Sequence, residues 1–310
     1  MATRRDFLTG SAAALVGAIV TKSLPARAQA RGQSQAVTPV FTVMRRNVGF
    51  FTGRGGTIGY LVNDTGVVVV DSQFPDSAAL CLAGLNERSN NRPIDWLINT
   101  HHHGDHTAGN VAFTGSVGHV AAHVKAAEHM RQPPGRQAPA TPQLYPDTTF
   151  ETTFEQTIGD ERVRAKHYGR AHTSGDAVIT FVEANVAHMG DLMFNRRHPV
   201  VDRPAGATLA GWISVLEGAV ADHTNDTAYI FGHAGTGMPV TGSRADLMRF
   251  RDYLTALLDY MKREVAAGKS ESEILAVRDP LQGFADHGAL TETILRNAYQ
   301  EVTGGVLSMT

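Results

Sequence analysis

The run IDWLINTHHHGDHTAGN, residues 94–110, limits what this chain can fold into more than any other stretch. Its first part is an apolar, strand-like segment ending at Thr100. Directly after it, residues 101–106 carry four histidines and an aspartate. A strand that stops on such a loop belongs at the C-terminal edge of a sheet flanked by helices, where ligand loops are commonly held.

The cluster reads H-x-H-x-D-H: His101, His103, Asp105, His106. Neutral imidazoles and carboxylates are the ligands of catalytic zinc. In a tight loop His101 and His103 can turn toward one point, and Asp105 and His106 toward another. That favours two metal ions over one. Alternation points His102 elsewhere, as a structural neighbour of the ligands. Four residues do not complete two sites, because a catalytic zinc takes about three protein ligands plus water. Further donors are therefore expected at other strand ends. His172 in GRAHTSGD, Asp191 in AHMGDLMF and His233 in IFGHAGTG occupy such positions.

The surrounding pattern predicts an α/β (α+β) fold. TIGYLVN and GVVVVDS read as strands joined through a turn at Asn63–Gly66. A helix with a cap near Asp76 or Ser77 follows, then the strand IDWLINT. VGHVAAHVKAAEHM reads as a strand and then a helix. RQPPGRQAPATPQLYP, residues 131–146, reads as a long loop. Strand-like runs return over residues 147–190 as TTFETTF, ERVRAKHY, DAVITFVE and NVAHMGD. A helix over 208–222 and a strand at TAYIFGH come next. From Ser243 onward the chain is helical: Leu247, Phe250, Leu254 and Leu257 share one face, and Ser270–Glu273 fits a capping box. Two strand-rich blocks, each followed by helices, pack most simply as two sheets with helices outside.

With these residues in hand, the sequence resembles the metallo-β-lactamase superfamily over roughly residues 41–240. The resemblance implies a four-layer αβ/βα sandwich with the metal site at one edge, and C-terminal helices. It implies that His101, His103 and His172 hold one metal, that Asp105, His106 and His233 hold the second, and that Asp191 bridges them. Two zinc ions are the cofactors so implied, with iron or manganese as other ions such a set accepts. A water shared between two divalent ions would ionise near neutral pH and attack a labile carbonyl, with Asp105 orienting it. The substrate would be an ester, thioester, lactone or β-lactam. In one large group of zinc β-lactamases the Asp191 position holds cysteine. Aspartate there is the pattern of hydroxyacylglutathione hydrolases and related esterases and lactonases. An iron-dependent sulfur dioxygenase on the same fold and a metal-dependent phosphodiesterase are the alternative activities.

The remaining features set the context. Thirteen apolar or small residues, Leu8–Val20, follow Arg4 and Arg5, and PARAQA offers A-x-A cleavage sites. Residues 1–30 thus read as a signal peptide resembling the twin-arginine type, which implies an exported, periplasmic bacterial protein without a stable membrane anchor after cleavage. The export machinery would be its partner through that signal. Residues 31–40 read as a linker, 41–242 as the catalytic domain, and 243–310 as helices packed on it. The formal charge of -2 falls to about -5 once residues 1–30 are removed, since Arg4, Arg5, Lys22 and Arg27 outnumber Asp6 by three. A mildly acidic chain points to a small-molecule substrate and away from nucleic acid. The single cysteine, Cys81, lies among apolar residues at helical spacing and reads as buried. Arg196, Arg197 and His198 lie where a substrate carboxylate or phosphate could be held. Phe74, Trp96 and Trp212 read as core. His119, His123, His129, His167, His188, His223 and His287 read as ordinary surface or core residues. FFTGRGGTIG reads as a hairpin near the mouth of the site.

Overall fold

The computed structural model describes residues 38–133 and 143–304. The signal peptide, most of the linker and the middle of the 131–146 loop lie outside the described residues. Seven strands form a first sheet in chain order: β1 (Val40–Arg45), β2 (Val48–Thr52), β3 (Ile58–Val62), β4 (Val67–Val70), β5 (Ile94–Asn99), β6 (Val117–His123) and β7 (Thr148–Phe150). β1 to β4 are antiparallel. β4 to β7 are parallel, because helical connections carry the chain back between them. These connections contain α1 (Pro75–Ser89), α2 (Gly104–Thr107) and α3 (Val124–Arg131).

The second half adds β8 (Thr153–Ile158), β9 (Glu161–Lys166), β10 (Val178–Phe181), β11 (Val186–His188), β12 (Phe194–Asn195), α4 (Leu209–Asp222), β13 (Ala228–Ile230), β14 (His233–Ala234) and β15 (Thr241–Gly242). The second sheet runs β15-β13-β11-β10-β9-β8, while β12 and β14 pair separately. β11 and β13 are parallel, with α4 in the crossover between them. α5 (Arg244–Ala266), α6 (Glu271–Leu275) and α7 (Glu292–Val302) follow.

Three apolar clusters define the layers. Val68, Val70 and Ile98 of the first sheet meet Val163, Ile179, Phe181 and Ile230 of the second. On the outer face of the first sheet, Val67, Val69 and Leu97 pack on Ala78, Cys81 and Leu85 of α1. Outside the second sheet, Ala187 and Tyr229 pack on Trp212 and Leu216 of α4, which in turn cover Leu247, Phe250, Leu254 and Leu257 of α5. The order is helix, sheet, sheet, helix. Strands buried on both faces explain the unbroken Val67–Val70 run.

Several local expectations hold. Asn63 accepts bonds from the backbone N–H of Thr65 and Gly66 and forms the turn before β4. Ser270 and Glu273 form a capping box. Cys81 is fully buried, which pushes its thiol well above the usual range. Two details differ. The cap of α1 is Phe74, without a side-chain bond, because Pro75 already supplies the helical φ at the first position; Asp76 is turned instead to Arg54. TTFETTF is not one strand. Glu151 and Thr152 bend the chain, so that β7 closes the first sheet and β8 opens the second.

Candidate metal centre

The parallel strands β4 and β5 of one sheet, and β11 and β13 of the other, end at a common edge. Each end delivers donors. His101 and His103 follow β5, and Asp105 and His106 lie in the first turn of α2. His172 comes from the β9–β10 loop, Asp191 from a 3-10 turn after β11, and His233 from the start of β14. All seven come together. One ligand atom each from His101, His103, His172 and Asp191 lies within 4.8 Å of the others, and the same holds for Asp105, His106 and His233.

Asp191 faces both groups. Its Oδ2 lies 3.8 Å from His101 Nε2 and 3.5 Å from His172 Nε2. Its Oδ1 lies 3.0 Å from His106 Nε2 and 3.4 Å from His233 Nε2. His103 Nδ1 approaches His172 Nε2 at 2.9 Å, and His233 Nε2 approaches Asp105 Oδ2 at 3.0 Å. Ligand atoms around one tetrahedral zinc sit about 3.3 Å apart, so these spacings fit an ion in each group.

The outward nitrogens are already committed, and this fixes the tautomers. His106 Nδ1 donates to Asp71 at 2.7 Å. His172 Nδ1 donates to the carbonyl of Val200 at 2.8 Å. His103 Nε2 donates to Asp202 at 2.7 Å. Thr100 gives its hydroxyl proton to Asp71, so it accepts from His101 Nδ1 at 3.0 Å. The rings of His101, His103 and His172 therefore turn a bare lone pair inward, whereas Asp191 and Asp71, on either side of His106, raise it well above the ordinary histidine range against the effect of burial. Lone pairs of His103 and His172 at such close range repel unless a cation lies between them. Among the described residues His101 Nε2 is buried without a hydrogen-bond partner, an arrangement that is costly for a polar atom left unliganded. The residues fit divalent ions.

The electrostatics differ between the two groups. Burial and the neighbouring rings hold His101 well below the ordinary histidine range, and burial pulls His172 down to about 3. Both stay neutral, as ligands must. Burial opposes charge on His233 as well, yet Asp191 and Asp105 lift it to about 9. The carboxylates thus draw positive charge into the Asp105–His106–His233 side of the site.

Close backbone approach is secured by glycine. A Cβ on Gly56 would enter the His106 ring, and one on Gly232 would strike the Asp191 carboxylate. The FFTGRGGTIG hairpin therefore lies against the site, as its reading anticipated.

Two carboxylates escaped the sequence reading. Asp71 ends β4 at φ 63° with its carboxylate fully buried. It accepts from Thr100 N and Oγ1 as well as from His106. An aspartate terminating a β-branched buried run beside β5 was the available signal. Asp202 lies in an ordinary-looking polar loop and gave none. His102 is buried beside the His101–His103–His172 group, with Nε2 3.5 Å from Asp202. His188 is a core residue, bonded to the Thr57 carbonyl and to Gly190 N.

Arg196, Arg197 and His198 are not equivalent. Arg196 Nε pairs with Asp286 at 2.7 Å. His198 spends both ring nitrogens on Tyr253 and the Ala289 carbonyl, so it offers no donor to a substrate. Arg197 is exposed, 5.7 Å from the Phe194 ring that stacks on His233. Arg196 and Arg197 border a cavity of about 540 Å³ beside Ala234 and Gly235.

Comparison with known proteins matches this architecture. Residues 51–235 match the metallo-beta-lactamase superfamily, a span that contains all seven converging residues, and the chain belongs to that superfamily. Over 133 residues it is 29% identical to the 2,4-dinitroanisole O-demethylase subunit alpha of Nocardioides sp. (strain JS1661), covering 42% of this chain and 39% of that protein. The chain thus matches about two fifths of that relative's length. Its fold is similar to a metallo-beta-lactamase from Pontibacter korlensis, with TM-score 0.60 and 17% identity over 70% of this chain and 99% of the other. It is also similar to the inverting sec-alkylsulfatase Pisa1 from Pseudomonas sp., with TM-score 0.66 and 17% identity over 86% of this chain and 51% of the other.

Proposed function

We propose that this chain is a dinuclear, zinc-dependent hydrolase acting on a small exported or extracytoplasmic substrate with a labile carbonyl: an ester, thioester, lactone or β-lactam. The observation that carries the reading is Asp191, whose two oxygens face two separate histidine groups. His101, His103 and His172 would hold one ion, Asp105, His106 and His233 the other, with Asp191 between them. Ions so held supply Lewis acidity to a carbonyl oxygen and lower the pKa of water toward neutrality. Asp105 is the most open of the acidic ligands, with its side chain 31% exposed. It orients the attacking water and takes up a proton. Asp71 and the Val200 carbonyl hold His106 and His172 in the ligating tautomer. Arg197 is the exposed member of the Arg196–His198 group and the one placed to meet an anionic substituent.

The complete Asp105–His106–His233 group weighs for two ions and against a single-iron oxygenase. The alkylsulfatase and O-demethylase names among the relatives extend the range of bonds worth testing beyond carbonyls. The purified chain, stripped and reloaded with zinc, is assayed on thioesters, lactones, esters, β-lactams, sulfate esters and activated aryl ethers. Zinc-dependent hydrolysis of a carbonyl substrate, lost in His103→Ala, supports the proposal. Turnover confined to sulfate esters or ethers redirects the substrate class, and unchanged metal content and activity in His103→Ala contradicts the proposal outright.

A further inference from the structure

Between β12 and α4 the chain passes the first histidine group as a short strap, residues 200–207. The Val200 carbonyl takes the His172 Nδ1 proton at 2.8 Å. Two residues on, Asp202 N donates to the His172 carbonyl at 3.3 Å. The Asp202 carboxylate then reaches the other side of the group: one oxygen lies 2.7 Å from His103 Nε2 and 3.5 Å from His102 Nε2. Its second oxygen accepts from Ala205 N at 3.2 Å, and its own carbonyl accepts from Ala207 N at 3.0 Å. The acid is locked into the turn it starts, so it cannot follow the rings if they swing.

The consequence concerns the choice among adjacent histidines. His102 and His103 are chain neighbours, with ring centroids 4.6 Å apart. Either could in principle turn a nitrogen toward the site. A carboxylate outside the site engages the Nε2 of both. For His103 this commits Nε2 as a donor and leaves Nδ1 as the inward lone pair, 2.9 Å from His172 Nε2. For His102 it holds the ring on the outer side, against His129 at a centroid distance of 4.9 Å.

We infer that Asp202 is a positioning residue of the first metal group: its fixed carboxylate sets the tautomer and direction of His103, and retains His102 as a non-ligand. The inference rests on the two-ion reading above. A hydrogen bond of this kind from an outer carboxylate to a ligating histidine is worth about 10–100-fold in metal affinity.

The test uses the full purified chain, stripped by chelator and titrated with Co²⁺, followed by ligand-field absorption and by metal content. Asp202→Ala is expected to weaken uptake at one of the two sites by about 10–100-fold and to change that site's absorption bands. Asp202→Asn still accepts a bond through its amide oxygen, so it should recover part of the affinity; it also carries the test if the alanine variant does not fold. His102→Ala should titrate like the wild type. In stripped wild type, ¹⁵N spectra of the imidazoles should show His103 as the Nε2–H tautomer, with that signature lost in Asp202→Ala. Wild-type titration and tautomer in Asp202→Ala overturn this inference alone. Loss of a third equivalent, bound by wild type beyond two, would put an ion between His102, His103 and Asp202 and also overturn it. No uptake by wild type would overturn the two-ion reading, and this inference with it.

Discussion

At the scale of residues, Asp71 does for the second histidine group what a metal ligand alone cannot. It sits at a left-handed φ of 63°, where aspartate and asparagine are tolerated and most residues are strained. From there a fully buried carboxylate binds Thr100 twice and His106 once. Asp71→Asn keeps the backbone preference and removes the charge. Breaking a buried, paired carboxylate of this kind typically costs about 3 kcal/mol or more. The variant should show that loss in urea unfolding, together with weaker binding of one divalent ion. Unchanged unfolding and unchanged metal affinity would remove Asp71 from the account. The contrast with its neighbours shows what sequence can convey. His101, His103, Asp105 and His106 are legible because the chain itself puts them together. Asp202 is not, because its role depends on a strap meeting a loop about a hundred residues earlier, a tertiary contact with no local pattern.

At the scale of elements, the apolar pattern carried the reading well where burial is regular, on one face of a helix or on both faces of a strand. The four apolar residues of α5 and the doubly buried β4 are examples. It gave no strand at β1, and it failed at Glu151–Thr152, where two sheets exchange the chain over two residues. One element has a pH-dependent cap. His123 precedes α3; its Nδ1 accepts from Lys125 N, and its Nε2 donates to the Glu151 carbonyl. Burial and the stacked His167 ring lower it from 6.5 to about 4, with Lys125 and Glu128 the other charges facing it. The ring is neutral when folded and binds a proton more readily when unfolded. Its contribution is therefore present above pH 6.5 and is lost as the pH falls through 4, by at most about 3 kcal/mol. His123→Asn, which keeps an acceptor at the cap, should show a shallower fall in stability between pH 6.5 and 4 than wild type. An identical slope would assign the acid sensitivity to other groups.

At the scale of the whole molecule, the C-terminal helices are tied to the rest of the fold by more than apolar contact. Glu301 of α7 accepts from Leu209 N and Ala210 N at 2.7 and 2.9 Å, the open N–H groups that begin α4. An acid in this place satisfies two donors and opposes the positive end of the helix. Glu301→Ala should cost about 1–2 kcal/mol, visible as a lower urea midpoint without a change in secondary structure. No shift in midpoint would mean that burial of α5 and α7 holds the two halves together by itself. We propose that Arg4 and Arg5 direct export of the whole chain. Arg4→Lys with Arg5→Lys should leave the chain in the cytoplasm of a bacterial host that otherwise exports it. Unaltered export of the double variant would argue for another signal class.

Two ions sharing Asp191 would leave a plain stoichiometric signature. The metal content of chelator-stripped chain, reloaded with zinc and freed of excess, should be about two per chain. Asp105→Ala should reduce it toward one, and Asp191→Ala should weaken both sites at once. A single ion per chain, unaffected by loss of Asp105 or Asp191, would contradict the account.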